Sequence, residues 1–472
     1  MSGGRAIGYW RLLAGRECRD YQEIMGGQVL SLAGDQAARV ALTVLVWSRT
    51  RSPMWTAAAY ASSYLPWLAG GTVLAGLADR YPRRRVMIAC DVARGGLVAV
   101  MSVPGVPLPF LAVLQGTVTL CEAPFDAARS ALLVEVIPVR LYGLALSAAQ
   151  SAAQAAVVAG YVAGGAAAAA AGPRAVLAVD AGTYVVSVVC LGLVRPRPAP
   201  AASGERPLTR LRIAARLVWT CPSARTWVLW VWLAAVPAAV AGLAVPLAAR
   251  LGGGPSAAGM LFAAAPAGSA VSGAVLGRAV GQARRERWVP LMAVGACVAL
   301  LPCAAGLDLA GVLAWLAIAG ACAGYLATAS ARFTISIAAE RRGQAFGLAA
   351  AGLYLMQGLG AVGAGAAASV YPVPRVVVIA ACTGAGAAMV LAAASVRYRG
   401  GHRSGTGPWR TCRQPGCVRP RRMRGGGRPR CAGPGCAVAA CAAPGSAASW
   451  TSREEGQGGT GTRTPRLGRR SV

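Results

Sequence analysis

The stretch GLADRYPRRR, residues 76–85, lies between two long apolar segments of a chain that otherwise carries few charges. It combines one aspartate, Asp79, with four arginines and a proline. The whole chain has 472 residues, of which 56% are hydrophobic and 13% are charged, and its mean hydropathy is +0.52. Soluble globular proteins carry about 25% charged residues. Long, nearly uncharged apolar runs recur along most of the chain, and each could cross a bilayer as a helix. The composition therefore indicates an integral membrane protein.

We predict an all-α membrane protein with twelve transmembrane helices, numbered here span 1 to span 12. In the first half the spans cover 24–46, 55–78, 86–103, 108–133, 142–170 and 174–194. In the second half they cover 225–248, 256–280, 288–306, 309–331, 343–369 and 374–396.

The spans divide the chain into two six-helix bundles, 24–194 and 225–396. The linker between them, 195–224, is rich in Pro and Arg and ends in a basic amphipathic stretch, which is typical of an interfacial helix. A cytoplasmic segment, 1–23, precedes the bundles. The tail, 397–472, is rich in Arg, Gly, Pro and Cys, and we expect it to be disordered because it has too little apolar area to form a core. Its cysteine spacing does not match a metal site.

The loop arginines set the orientation. On the side of the two termini, the loops and the linker hold Arg80, Arg83, Arg84, Arg85, Arg129, Arg140, Arg195, Arg197, Arg206, Arg210, Arg212, Arg216, Arg278, Arg284, Arg285, Arg287, Arg332, Arg341 and Arg342. The opposite loops hold only Arg49, Arg51, Arg174, Arg250 and Arg375. The positive-inside rule therefore places both termini in the cytoplasm. The same rule accounts for much of the net charge of +31, so this charge does not predict nucleic-acid binding.

The two halves carry a short sequence repeat. Residues 71–74, GTVL, end span 2, and residues 273–276, GAVL, end span 8. An arginine-rich loop follows each of them. Parallel six-helix repeats of this kind build one large transporter fold.

Span 1 carries a polar stripe on an apolar helix, and this stripe is our first candidate site. Asp35 and Arg39 are four residues apart and can pair on one helical face, which they share with Gln28 and Ser31. Charges inside a membrane are costly and face a cavity or a neighbouring helix. Two interpretations stay open: an internal ion pair that fixes helix packing, or a cavity carboxylate that binds and releases protons. Gln28 and Ser31 would line that cavity.

Span 4 holds a second group of acids. Glu122 and Asp126 are also four apart, and two buried carboxylates on one face would share a proton because they repel each other. Glu122 lies deeper and is the better proton site. Asp126 and Arg129 are equally well explained as solvated or paired residues at the membrane surface.

Two further patterns point to packing. Gly160, Gly164 and Gly165 in span 5 have the spacing that lets helices approach closely. Asp91 and Arg94, at the start of span 3, are interpreted as an interfacial pair. The sequence has no phosphate-binding loop, and its only histidine, His402, lies in the tail, so an ATP-driven protein or a triad hydrolase is not expected.

The opening stretch resembles the signature loop of the major facilitator superfamily, roughly G-x-L-A-D-R-x-G-R-R. Leu77, Ala78, Asp79, Arg80, Arg83 and Arg84 match it in register. The leading glycine falls at Ala75, and Pro82 replaces the second glycine. Span 1 and the span 4 sequence ARSALLVEVIP are similar to a branch of bacterial exporters, the enterobactin-exporter-like or transmembrane secretion effector group.

This resemblance implies roles for the loop. Asp79, Arg80, Arg83 and Arg84 would form a conformational latch, in which Asp79 contacts the start of span 11 near residues 343–347. A helix N-terminus offers unpaired N–H groups to such a carboxylate. Arg83 would link Asp79 to Asp126. Gly281 stands at the equivalent position of the second half, so the latch would exist on one side only.

The resemblance also bears on span 5, where residues 160–165 are similar to the family's antiporter motif, G-P-x-x-G-G. Tyr161 stands where that motif has proline.

We therefore expect a monomeric transporter, not an enzyme, in the bacterial cytoplasmic membrane. It would export a small organic molecule, such as a drug, siderophore or secondary metabolite, by proton antiport. Its partners would be the bilayer and that substrate, and we expect no nucleic-acid partner. We expect no cofactor or metal, because the proton gradient would supply the energy. The alternatives are an uptake or lipid-translocating transporter, and a non-transporting membrane sensor or decaying transporter gene.

Overall fold

The computed structural model describes residues 15, 18–74, 77–197, 207–338 and 341–401. Every regular element within these residues is helical. The predicted tail after residue 401 and most of the predicted N-terminal segment lie outside them.

Ten of the twelve predicted spans coincide with helices that are long and apolar enough to cross a membrane. In chain order these are span 1 (Arg19–Thr50), span 4 (Leu108–Val136), span 5 (Val139–Ala171), span 6 (Pro173–Leu193), span 7 (Pro222–Arg250), span 8 (Pro255–Ala279), span 9 (Gln282–Ala304), span 10 (Leu309–Ile335), span 11 (Arg342–Ala368) and span 12 (Val373–Ser395). Span 12 continues as a helix to Gly401. A helix at Pro207–Thr220 occupies the basic stretch of the predicted linker.

Spans 2 and 3 do not meet the same length and charge limits. Span 2 is broken into helices at Pro53–Ala61 and Trp67–Ala69, a π-helix at Gly70–Leu74 and a short helix at Leu77–Arg80. Span 3 is one helix, Arg83–Ser102, but its sequence carries Asp91 and Arg94 besides three arginines in its first turn. The sequence thus counts twelve segments, of which ten are apolar helices of spanning length.

Successive helices alternate in direction, which gives the described molecule two ends. The arginine-rich end holds the chain turns near residues 81, 138, 195, 280 and 338, and the arginine-poor end holds those near 51, 105, 172, 252, 306 and 370. At the first end Arg197 pairs with Asp20 at 3.0 Å. At the second, Arg49 donates to the Val106 carbonyl at 2.8 Å.

The two bundles join near the arginine-poor end. Span 5 packs on span 8, and span 2 packs on span 11. The shared apolar core includes Val40 and Tyr161 from the first bundle and Val245, Phe262 and Ala361 from the second. Towards the arginine-rich end the two bundles have separate apolar cores. The contact between the bundles is therefore concentrated in one half of the molecule.

Candidate functional site

An ion-pair network lies buried inside the first bundle, and Arg94 of span 3 is at its centre. One Arg94 Nη donates to the Asp35 carboxylate at 2.8 Å, and the other donates to Asp91 at 3.4 Å. Arg94 is 4% exposed and Asp91 is 0% exposed. A planar guanidinium can serve two carboxylates at once. Arg94 therefore holds span 1 and span 3 together.

Span 6 completes this network from a third side. The Tyr184 hydroxyl makes a short hydrogen bond to Asp35, and the Ser187 hydroxyl donates to Asp91 at 2.6 Å. Asp180, Tyr184 and Ser187 lie one or two helical turns apart, and so they face the same side of span 6. The Arg94 guanidinium also lies over the Tyr184 ring, 4.7 Å from its centroid. The buried charges are thus enclosed by hydrogen bonds from spans 3 and 6.

Arg39 does not pair with Asp35, contrary to the sequence interpretation. Its Nη1 contacts the Gln36 side-chain oxygen at 2.8 Å, the Tyr161 hydroxyl at 3.2 Å and the Tyr64 hydroxyl at 3.3 Å. The reason is that Arg94 and Tyr184 already occupy Asp35, whereas the longer Arg39 side chain reaches the phenols of spans 2 and 5. None of the ion pairs between described residues includes Arg39.

The side chains of this region line one small cavity. Asp35, Arg39, Glu122 and Asp180 all lie on its wall, together with Arg94, Gln115 and Thr119. Its volume is about 20 Å³, which is room for about one water molecule. The predicted proton-site candidates of spans 1 and 4 therefore meet at the same cavity. A water in it could pass a proton between Asp35 and Glu122.

An aromatic layer separates this cavity from the second bundle. The Phe262 ring stacks on Tyr161 at 5.4 Å and on Tyr60 at 5.6 Å, measured between ring centroids. Tyr354 of span 11 lies 4.9 Å from Trp67 and 5.9 Å from Tyr64. Through these rings the second bundle contacts the phenols that bind Arg39.

Gln28 and Ser31 do not line the cavity. Ser31 is buried, and Gln28 is half-buried with a side-chain oxygen that has no hydrogen-bond partner. Both lie nearer the arginine-rich end of span 1 than Asp35 does. Their predicted role in lining a transport cavity stays a prediction.

The signature loop makes partly different contacts from those expected. Arg83 pairs with Glu135, at the end of span 4, instead of Asp126. Asp126 pairs with Arg129 in its own helix at 3.1 Å. Arg83 also donates to the Ala131 carbonyl at 3.2 Å, so its guanidinium lies one to two turns beyond Asp126.

The other arginines of the loop differ in their environment. Arg84 donates to the Leu191 carbonyl at 2.7 Å, where a cation favourably meets the C-terminus of span 6. Arg80 is exposed. The Asp79 side chain lies outside the described residues, and its predicted contact with residues 343–347 stays a prediction.

The glycines of span 5 pack as close helix contacts require. A Cβ at Gly160 would lie 2.9 Å from the Ala33 Cα, and one at Gly164 would lie 2.8 Å from the Ala37 Cβ. A Cβ at Gly165 would lie 2.8 Å from the Gly259 Cα of span 8. Span 5 thus contacts span 1 inside the first bundle and span 8 across the interface.

The structure of the site differs from the sequence interpretation in two features. Asp91 and Arg94 are not an interfacial pair: both are buried within the helix bundle, two to three turns inside span 3. Asp180, Tyr184 and Ser187 were not singled out, although their spacing of four and three places three polar groups on one face of an apolar helix.

The described residues contain no group of three or more His, Cys, Asp or Glu side chains placed to hold a metal ion. The charged cluster instead alternates acids with arginines, which is the chemistry of ion pairing and proton binding. A guanidinium remains charged under all ordinary conditions, so the acids are the groups that can exchange protons.

Comparison with known proteins shows which family and which solved structures this architecture resembles. The sequence profile of the Major Facilitator Superfamily matches residues 24–247. No curated protein sequence matches the chain. A solved structure of a bacterial homologue of the human lysosomal transporter Spinster, in an inward-facing, unoccupied conformation, is 16% identical with a TM-score of 0.59. The matched region covers 83% of this chain and 98% of the homologue's chain.

Two other solved transporters share the fold. A POT family transporter in complex with 5-aminolevulinic acid is 9% identical with a TM-score of 0.64, covering 79% of this chain and 96% of its own. A variant of the nucleoside transporter NupG is 10% identical with a TM-score of 0.62, covering 80% and 98%. Together with the matched profile and the two helical bundles, these similarities lead to one conclusion. The chain is a multi-pass membrane protein, and its residues 24–247 match the major facilitator superfamily.

Proposed function

We propose that this protein exports a small organic molecule across the bacterial cytoplasmic membrane in exchange for protons. The observation that carries the proposal is the cavity of the first bundle, on whose wall Asp35 and Glu122 meet Arg39 and Arg94. Ionisable groups inside a membrane are costly and mark proton or substrate pathways. The export direction follows from the resemblance of spans 1 and 4 to bacterial exporters.

The arrangement of the bundles fits alternating access. The shared apolar core lies towards the arginine-poor end, and the separate cores lie towards the other end. In this state substrate would enter from the arginine-rich end, which the positive-inside rule assigns to the cytoplasm. Rocking of one bundle against the other would then expose it to the opposite side.

Asp35 and Glu122 have different roles in the proposal. Asp35 is fixed by Arg94 and Tyr184, so its protonation would break the contact between spans 1 and 3. Glu122 has no ion-pair partner among the described residues, so it can take up a proton without breaking a salt bridge. Glu122 would therefore receive the proton first, and Asp35 would couple protonation to helix movement.

The test is an Asp35→Asn variant expressed in an efflux-deficient bacterial strain and challenged with a panel of toxic organic compounds. Wild-type protein should raise tolerance to at least one compound, and the variant should lose that tolerance while reaching the membrane at a normal level. Purified protein in liposomes should release protons when that compound is added, and the variant should not.

The matched control is Asp308→Asn, which makes the same chemical change at an exposed position that begins span 10. Asparagine also caps helices well, so this variant should behave like the wild type. Substrate-driven proton release that survives Asp35→Asn would refute the role of Asp35. Compound accumulation that increases with expression would show uptake instead of export. Tolerance unchanged by expression, without any proton release, would favour a non-transporting membrane protein.

A further inference from the structure

A second cavity opens on the outer surface of the first bundle, between spans 1, 5 and 6. Apart from one acid, its walls consist of glycine, alanine and valine residues, of which Ala163, Ala167 and Val179 are exposed on the outer surface of the bundle. Its volume is about 180 Å³. We call it the lateral groove. A single charged residue, Asp180, lies on its wall.

Asp180 connects this groove with the ion-pair network, because it also lines the small inner cavity. The residue is 1% exposed, and its side chain fits against span 1 because Gly34 there has no Cβ. One carboxylate oxygen accepts a hydrogen bond from the Thr183 hydroxyl at 3.2 Å. The other, Oδ2, is buried and has no hydrogen-bond partner.

Neither neighbouring arginine donates a hydrogen bond to Asp180. Arg94 directs its two Nη atoms to Asp35 and Asp91, and Arg39 contacts Gln36 and two phenols. None of the described ion pairs includes Asp180. A buried carboxylate without a counter-charge is unfavourable by several kcal/mol when it is ionised. It therefore holds a proton or receives a cation from outside the chain.

We propose that the lateral groove binds small lipophilic amines that reach it from the bilayer, with the amine nitrogen paired with the Asp180 carboxyl group. The apolar walls match an alkyl or aromatic body, and the single carboxylate at the buried side matches a cationic head. The volume is similar to that of an engineered apolar cavity of about 150 Å³ that binds benzene, so one aromatic ring fits.

Binding needs no external proton. An amine dissolves in the bilayer as the neutral base, and the protonated Asp180 carboxyl transfers its proton to the amine nitrogen. The O–H bond breaks, a new N–H bond forms, and the products are an ammonium and a carboxylate that pair. A neutral alcohol of the same shape lacks this pairing, and a carboxylate of the same shape would be repelled.

The experiment uses the full chain, purified in lipid nanodiscs, and follows binding of 4-fluorobenzylamine by ¹⁹F NMR. The amine should bind saturably, at least about tenfold more tightly than 4-fluorobenzyl alcohol, because a hydrogen bond to a charged group contributes about 1.5–3 kcal/mol. 4-Fluorobenzoate should not bind. Asp180→Asn, which keeps the shape and the acceptor for Thr183, should weaken amine binding by about tenfold or more.

A second pair of variants tests the groove and leaves the charges unchanged. Ala167→Leu fills the groove from its mouth and should abolish saturable binding of the amine. Ala178→Leu adds the same side chain at an exposed position of span 6 outside the groove and should bind like the wild type. Equal amine binding by Asp180→Asn or by Ala167→Leu would overturn the inference, as would purely non-saturable partitioning into lipid.

The inference goes beyond proton-coupled export and can fail independently of it. Amine binding by an Asp35→Asn variant should persist, since Asp35 lies in the inner cavity only. A protein that binds the amine but releases no protons would contradict the proposed export mechanism alone. A protein that exports and exchanges protons without amine binding would contradict the lateral groove alone.

Discussion

The two bundles share one architecture but differ in what they bury. Among the described residues, every buried polar or charged side chain except Ser272 belongs to the first bundle. In the second bundle the charged residues lie near helix ends. Spans 8 and 10 approach each other closely at two glycines: Gly268 packs on Ala317, and Gly320 packs on Ala265. The first bundle thus combines close glycine contacts with a buried ionic network, whereas the second has such contacts without a buried ionic network.

The two bundles therefore differ in how they can respond to protonation. Buried ion pairs hold their residues in one geometry and respond to protonation, whereas contacts between small apolar residues carry no charge that could respond. Under the proposed function, the first bundle would receive the proton and the second would rock against it. The aromatic layer around Phe262 and Tyr354 connects the two bundles.

The largest effect should come from removing the centre of the ionic network. Arg94→Met leaves two buried carboxylates, Asp35 and Asp91, without their cation, which should cost about 3–5 kcal/mol of stability. Thermal unfolding of the purified protein in detergent measures the loss. Arg332→Met removes the corresponding cation of a partly exposed pair with Glu286 in the second bundle.

That second variant should lose less stability than Arg94→Met, because it leaves one carboxylate without its cation instead of two. Adding Asp35→Asn and Asp91→Asn to Arg94→Met should restore part of the lost stability, since the unpaired charges are then gone. Equal losses for Arg94→Met and Arg332→Met would contradict the contrast between the bundles.

A smaller effect is expected from the glycine contacts of the second bundle. A Cβ at Gly320 would lie 2.6 Å from the Ala265 Cα, whereas one at Gly273 would meet no atom within 4 Å. Alanine favours helices over glycine by about 1 kcal/mol. Gly273→Ala should therefore leave the unfolding temperature unchanged or raise it, and Gly320→Ala should lower it by overpacking worth about 1–3 kcal/mol.

The two glycine variants share the same gain in helix propensity, so their difference isolates the helix contact. The unfolding temperatures of both proteins, measured in the same detergent, decide the question. A Gly320→Ala protein as stable as Gly273→Ala would show that spans 8 and 10 can separate without loss.

The sequence predicts the spans and the residues of the inner cavity better than it predicts their pairing. Ten of the twelve predicted spans are confirmed as apolar helices of spanning length, because a membrane requires length and low charge. The cost of buried charge points to Asp35 and Glu122. The spacing of Asp35 and Arg39 suggests a pair, but Arg94 from another helix is the actual partner. Contacts between helices depend on rotation and depth, which local spacing does not contain.

The same limit explains Asp91 and Asp180. Asp91 lies near the start of span 3, and position along the chain does not give the depth at which a side chain is buried in the bundle. Asp91 was therefore assigned to the membrane surface, although it is buried. The signal that could have found Asp180 is the polar face it shares with Tyr184 and Ser187 in an otherwise apolar span.

The smallest effect concerns a pair of salt bridges at equivalent places in the two bundles. In the first, Arg83 begins span 3 and pairs with Glu135 at the end of span 4. In the second, Glu286 lies in the first turns of span 9 and pairs with Arg332 in the last turn of span 10. The pair is therefore present in both halves with opposite polarity. The one-sided latch of Asp79 stays a prediction.

Exchanging the acid and the base of the Arg83–Glu135 salt bridge tests whether stability depends on the pair itself or on which residue carries which charge. Arg83→Glu alone places two acids together and should lower stability by about 1 kcal/mol or less, because the pair is partly exposed. The double variant Arg83→Glu with Glu135→Arg reproduces the polarity of the second bundle and should recover the unfolding temperature of the wild type.

The transport rate of the double variant tests this last prediction further, because the family pattern has arginine at position 83. If that requirement reflects only the pair with Glu135, the double variant should transport as fast as the wild type. If Arg83 also holds Asp79, the double variant should be stable but slow. A double variant that recovers neither stability nor transport would show that the two salt bridges are not equivalent, and that the halves differ in their loops as well as in their cores.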